Sequence, residues 1–238
     1  MSTKASPRRL THADPQSGAS TTKANTSLSA SLWNSSQKLA QEALASDFIQ
    51  GIKNGTLDPN QFGQYTIQDV LYCAHGLSDW ETVASRATDP DVKSFATARV
   101  TSWKSYIKEL FSDWHIADPS AINLSTAVKT YSDLESNVAN NYDPLYAAVV
   151  MLPCDRLWYW LATQIAPDSP TNNVYQFWIA DNGGSDSGAK RLEAFIDAHA
   201  AQIDADIAHH IFHQAMLGEV NGFRSACGQK LLTLPQTN

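Results

Sequence analysis

Three stretches of this 238-residue chain each carry one reactive side chain in the middle of an apolar stripe. Phe62, Tyr65, Asp69 and Tyr72 fall at steps of three, four and three. Ala147, Met151, Cys154, Trp158 and Leu161 keep the same rhythm, as do Ala208, Phe212, Ala215, Glu219 and Phe223. Apolar residues at that spacing line the inward face of a helix in a bundle. A carboxylate or thiol on such a face points inward, and buried carboxylates require partners. Two acids and a thiol on three inward faces therefore predict one shared polar pocket, where a cysteine could act as nucleophile and a carboxyl as general acid. The plainer reading gives each acid a private core hydrogen bond and makes the cysteine a small packed hydrophobe.

Cys154 lies several turns into its predicted helix, too deep for the helix dipole to lower its pKa, since that effect fades within a turn. Activation has to come from a neighbouring base or from the substrate, and Glu219 is the natural partner. Asp206, His209, His210 and His213 form a rival cluster, with His209 and His213 one turn apart as two metal ligands often are. The other inward stripes offer only Asp69 and Cys154, without the Glu-x-x-His pair that a metal centre inside a bundle would need. The histidines also flank the stripe through Ala208, Phe212 and Ala215. Solvated or interhelical histidines are the preferred reading, and no metal is expected. Phosphate-binding glycine loops, nucleophile elbows and dinucleotide fingerprints are not found.

The elements that must position these residues are helices. Asp58-Pro59, Asp89-Pro90, Asp118-Pro119 and Asp143-Pro144 each read as an N-cap followed by proline in the first turn, and Gln61 completes a capping box with the first. The pattern predicts helices over 28–54, 59–87, 90–115, 119–140, 144–166, 171–181 and 187–230, the last broken near Gly218 or Gly228. With almost no strand signal, the fold class is an all-α multi-helix bundle in one domain over 26–230. Residues 231–238 form a C-terminal tail. Residues 1–25, rich in Ser, Thr, Lys, Arg and Ala, read as a disordered tail in preference to a transit peptide. A net charge of −7, pI near 5.4 and no large basic cluster argue against nucleic acid or an anionic membrane as partner. Three scattered cysteines and no long apolar run point to a reducing, cytoplasmic setting, with organelle import through the tail left open.

Leu32-Trp33, the run from Asp47 to Leu57, and Phe62-x-x-Tyr65-x-x-Gln68-Asp69-x-x-Tyr72 resemble the opening helices of the TenA family, or thiaminase II. Leu152-Pro153-Cys154, Phe177-Trp178-Ile179 and Phe212-x-x-Ala215-x-x-x-Glu219 continue the likeness in order, over roughly 28 to 226. The resemblance implies a haem-oxygenase-like bundle without haem or other cofactor, a homo-oligomer (tetramer or dimer), and hydrolysis of small aminopyrimidines in thiamin salvage. Carried over, Cys154 is the nucleophile that adds to the pyrimidine ring and Glu219 the acid. Asp69, Tyr72 and Tyr131 bind the ring, and Trp158 and Phe223 complete its walls. The chain departs from the family at Trp158 and Asn182, where tyrosines are common, and at Gly222-Phe223, where a Phe-Trp pair is usual. Asp155 adds a charge beside the nucleophile. Trp158 is expected to dry the wall and remove a hydrogen-bond donor. The alternatives are a non-catalytic or substrate-changed member that binds a planar ligand, and a metal-dependent oxidase on the same fold.

Overall fold

The computed structural model describes residues 26–233; the predicted tail over 1–25 and the end of the C-terminal tail lie outside them. Ten α-helices follow one another among the described residues: α1 Leu28–Ser35, α2 Gln37–Leu44, α3 Asp47–Asn54, α4 Pro59–Arg86, α5 Pro90–Asp113, α6 Thr126–Asn141, α7 Tyr146–Ile165, α8 Gln176–Gly183, α9 Ser187–Ala198 and α10 Ala205–Ala226. No strand occurs among the described residues. The fold is all-α, as the stripe pattern predicts.

Local chemistry sets the boundaries. Asp58 accepts from the Asn60 amide, and Asp89 from those of Asp91 and Val92, so the first two Asp-Pro steps open α4 and α5. Asp118-Pro119 starts only a 3₁₀ turn over Pro119–Ala121, and α6 begins later, capped by Ser125. Gln61 does not act as the expected capping partner. Its Oε1 accepts a long 3.6 Å bond from the Cys227 thiol. The single helix expected over 28–54 is three, because Ser36 and Ser46 interrupt it. Ser46 donates to the Ala43 carbonyl and accepts from the Ile49 amide, ending one helix and starting the next. The helix expected over 187–230 breaks at His199–Asp204, where Asp204 caps α10, and runs unbroken through Gly218. Gly228 lies beyond the helix in the left-handed region, at φ 68°.

Helices α4, α6, α7 and α10 pack on one another to form the centre. α5 covers α4, α8 and α9 cover α7, and α1 to α3 close the α10 side. Pro153 sits inside α7 and supplies no amide to the Val149 carbonyl, so the helical ladder is interrupted one residue before Cys154. No described helix is long and apolar enough to cross a membrane.

Candidate active site

The three stripes meet at the centre of the bundle. Tyr65 and Tyr72 of α4, Cys154 and Trp158 of α7, Tyr131 of α6, and Glu219 and Phe223 of α10 are all buried, and Asp69 is half-buried. They surround two adjoining cavities. The larger encloses about 650 Å³ of atom-free space, its mouth included, and is lined by Cys154, Asp155, Trp158, Arg99, Cys73 and Asn182 among others. The smaller, of about 320 Å³, is lined by Tyr72, Tyr131, Gly218, Glu219 and Gly222. Tyr65 and Asp69 line both. The thiol and the acid thus open onto neighbouring chambers, not one undivided pocket. Phe223 packs behind the wall, its ring stacked on Tyr65 at 5.6 Å between centroids and 5.7 Å from Trp158.

Glu219 is held from both sides. Tyr131 Oη donates to Oε1 at 3.2 Å, and Trp158 Nε1 donates to Oε2 at 2.9 Å. The expectation that Trp158 removes a donor is therefore wrong. An indole N–H takes the place a phenol O–H could fill, and it reaches the acid one helix away. Asn182 behaves differently: its amide nitrogen donates to the Trp178 carbonyl within α8, so that part of the side chain is spent on its own helix. Burial, and then the negative charge that Cys154, Glu135 and Glu219 place nearby, pushes the Tyr72 phenol well above its ordinary value. Tyr131 is raised in the same way, by burial first and Glu219 next. Both phenols stay protonated and serve as donors.

Several residues of the site escaped the stripe reading. Arg99 lies within a buried run on α5, Ala96, Arg99, Trp103 and Tyr106, whose spacing is the same signal that marked the other helices. Its guanidinium donates to Asp155 at 3.3 Å and sits 5.6 Å from the Trp80 ring and 5.9 Å from the Trp103 ring. The extra charge expected beside the nucleophile thus comes with a partner. Cys73 lies one turn after Asp69 and lines the same cavity as Cys154, so the chamber holds two thiols. Glu135, one turn after Tyr131, is fully buried and bonded to Tyr72. Among the histidines, His209 meets Ser31 through Nε2 at 3.1 Å and Ser35 through Nδ1 at 3.0 Å, an interhelical role on α1.

Two consequences can be measured on the folded protein alone. A Cβ at Gly218 would lie 2.5 Å from the Tyr131 ring, which would have to move away from Glu219. Gly218→Ala is expected to cost about 1–3 kcal/mol through overpacking, more than the ~1 kcal/mol that better helix propensity returns. A urea midpoint equal to or above that of the parent would contradict this. Asp79 is the second case: it is 4% exposed, bonded by Ser136 through one oxygen and unpartnered at the other. Burial raises its pKa to about 6, with the Ser136 bond opposing. A folded-state pKa above the unfolded value means that the native state binds the extra proton, so stability falls as pH rises through about 4 to 6. Asp79→Asn should therefore gain stability over the parent, on the order of 2 kcal/mol at pH 8 and little at pH 4. Urea midpoints at the two pH values that differ from the parent's by the same amount would rule this out.

A buried thiol, a carboxyl held by two hydrogen bonds and aromatic walls thus line neighbouring cavities inside an all-α bundle. A sequence model of the TENA/THI-4/PQQC family matches residues 33–205, and the chain belongs to that family. It is 25% identical over 186 residues to the thiamine biosynthesis multifunctional protein ThiED of Corynebacterium efficiens, covering 73% of this chain and 24% of that protein. It is 28% identical over 149 residues to the aminopyrimidine aminohydrolase of Bacillus subtilis, covering 58% of this chain and 61% of that one. The match thus spans less than two thirds of either relative. Among solved structures, a TenA family transcription regulator from Silicibacter sp. TM1040 superposes with a TM-score of 0.74 at 15% identity, over 84% of this chain and 96% of that one. Haem oxygenase-1 of Synechocystis, bound to haem, superposes with a TM-score of 0.57 at 15% identity, over 85% and 93%. The fold is haem-oxygenase-like, as the family resemblance implies.

Proposed function

We propose that this chain hydrolyses an aminopyrimidine or a related heteroaromatic ring, with Cys154 as nucleophile and Glu219 as general acid. The observation that carries the reading is the placement of a buried thiol and a doubly hydrogen-bonded carboxyl on either side of Tyr65, Asp69 and Trp158. A planar ring lying against Tyr65 and Trp158 would offer its amino edge to Asp69, a carboxylate on the border of both chambers. A ring nitrogen could then face Glu219, and a ring carbon the thiol. Addition of sulfur to the ring is favoured when Glu219 protonates the ring nitrogen, because charge would otherwise accumulate on the ring. The substituent departs, water takes its place, and the sulfur leaves. The family membership and the relative named for aminopyrimidine hydrolysis support this chemistry. Gly222, where a Cβ would meet nothing within 4 Å, leaves the Glu219 chamber wider than the bulky family residue would. The substrate therefore need not be the family's usual one.

The reading extends to a cytoplasmic homo-oligomer in which residues 26–230 carry the activity. Turnover of thiamin and a panel of aminopyrimidines, followed by release of the leaving group, tests it. Release that depends on Cys154 is the expected result. Saturable binding of these compounds with no release would instead favour a ligand-binding member of the family.

A further inference from the structure

Glu135 lies deeper in the bundle than Glu219, with none of its surface exposed. It projects from α6 one turn after Tyr131. Its Oε1 is 2.5 Å from Tyr72 Oη, and its Oε2 has no partner. The Tyr72 and Tyr131 rings stack at 5.0 Å between centroids, which sets their hydroxyls side by side between the two acids. Tyr131 Oη in turn lies 3.2 Å from Glu219 Oε1. Two stacked phenols therefore stand between two buried carboxyls, Tyr72 bonded to Glu135 and Tyr131 to Glu219.

The groups facing Glu135 decide its charge. α4 presents Tyr72 and Asp79, α6 itself Tyr131, and α10 Glu219, while Cys154 of α7 lies beyond Tyr72. His75 of α4 is turned to Ser132 at 2.9 Å. The two carboxyl groups that raise Glu135 further are Asp79 and Glu219. A buried carboxylate among acids is costly, and a neutral carboxyl is not. Burial accordingly pushes Glu135 well above the usual carboxylate range, with the Tyr72 bond opposing. Neutral Glu135 can donate from Oε1 to Tyr72, which frees the Tyr72 hydroxyl to donate to Tyr131 and the Tyr131 hydroxyl to donate to Glu219. Each hydroxyl then gives one bond and accepts one. The lone Oε2 becomes a carbonyl-type acceptor, the kind of atom that tolerates a missing partner best.

We propose that Glu135 is the proton reservoir of the site, re-protonating Glu219 through the hydroxyls of Tyr72 and Tyr131. This rests on the hydrolase reading for its purpose. When Glu219 gives its proton to the substrate, the Tyr131 proton moves to Glu219, the Tyr72 proton to Tyr131 and the Glu135 proton to Tyr72, leaving the charge on Glu135. Water addition later releases a proton, which enters at Glu219 and drives the same shifts in reverse. The chain is restored and no proton is gained or lost. Glu135 touches no substrate and acts through others.

Glu135→Gln keeps the volume and an acceptor for Tyr72 but has no acidic proton to give. Infrared spectra at pH 8 in a Glu219→Gln background, where Asp79 is mostly ionised and Glu219 contributes no carboxyl band, should show the carbonyl band of a protonated carboxylic acid and lose it when Glu135→Gln is added. In Tyr72→Phe the band should persist at a shifted frequency, because the short hydrogen bond is gone. With a turned-over aminopyrimidine, kcat of Glu135→Gln should fall about tenfold or more with KM within about twofold, because the proton is needed only during turnover. An infrared spectrum unchanged by Glu135→Gln, or an unchanged kcat, overturns the proposal. Absence of turnover by the parent on thiamin and on every aminopyrimidine tried overturns the hydrolase reading, while the band still decides whether Glu135 holds the proton.

Discussion

Cys154→Ser is expected to reduce turnover to background while leaving affinity for the ring within about tenfold, or ~1.4 kcal/mol. Serine has nearly the shape of cysteine, so the chamber keeps its walls, but an alcohol is a far poorer nucleophile with no base positioned to activate it. Cys73 makes this test more exacting, because it lines the same chamber. Cys73→Ser should retain most of the activity, since only Cys154 belongs to the α7 stripe that faces the ring. Cys227→Ser serves as a distant control. Burial pushes its thiol up to about 11, so almost none is thiolate at neutral pH. Calorimetric binding and single-turnover rates on the three variants separate the outcomes. Activity that survives Cys154→Ser and disappears in Cys73→Ser would move the nucleophile to α4.

Glu219→Gln should lower kcat by about 10²–10⁴, the range for losing a general acid. The amide retains one oxygen acceptor but turns an N–H₂ toward either Tyr131 or Trp158. One of those two buried donors then faces another donor, at a cost of about 1–3 kcal/mol in stability. Tyr131→Phe removes the weaker bond, at 3.2 Å, and keeps the acid. Its loss should be smaller than that of Glu219→Gln. Rates corrected for the folded fraction give the comparison, and equal losses in the two variants would show that orientation of Glu219, not its proton, is what matters.

The bundle could be read from helical periodicity because stripes at steps of three and four extend over several turns in α4, α7 and α10, and because aspartate caps mark α4 and α5. What could not be read depends on contacts between helices. Ser46 divides the first stretch by side-chain bonds to nearby backbone, which compete with helix, and the break at Ser36 has no side-chain bond at all; neither leaves a mark in the periodicity. The 199–204 break gave no glycine or proline to mark it. In the site, periodicity pointed inward correctly for Asp69, Cys154 and Glu219 but said nothing of depth. Two chambers with a shared border look the same in one dimension as one pocket. Glu135 escapes the periodicity because its helix is polar at Ser132, Asp133 and Ser136, which are buried, exposed and half-buried in turn, so no apolar stripe singles out the buried acid. Arg99 was overlooked because arginines in a helix are usually on its outer face.

The most direct measurement of the covalent chemistry is peptide mapping by mass spectrometry of the parent protein, acid-quenched at a series of times during turnover of an aminopyrimidine. The hydrolase reading predicts a mass increase equal to the ring fragment on the peptide that contains Cys154, absent from the Cys73 and Cys227 peptides and absent in Cys154→Ser. Sustained turnover with Cys154 unmodified at every quench time would contradict a cysteine-dependent mechanism.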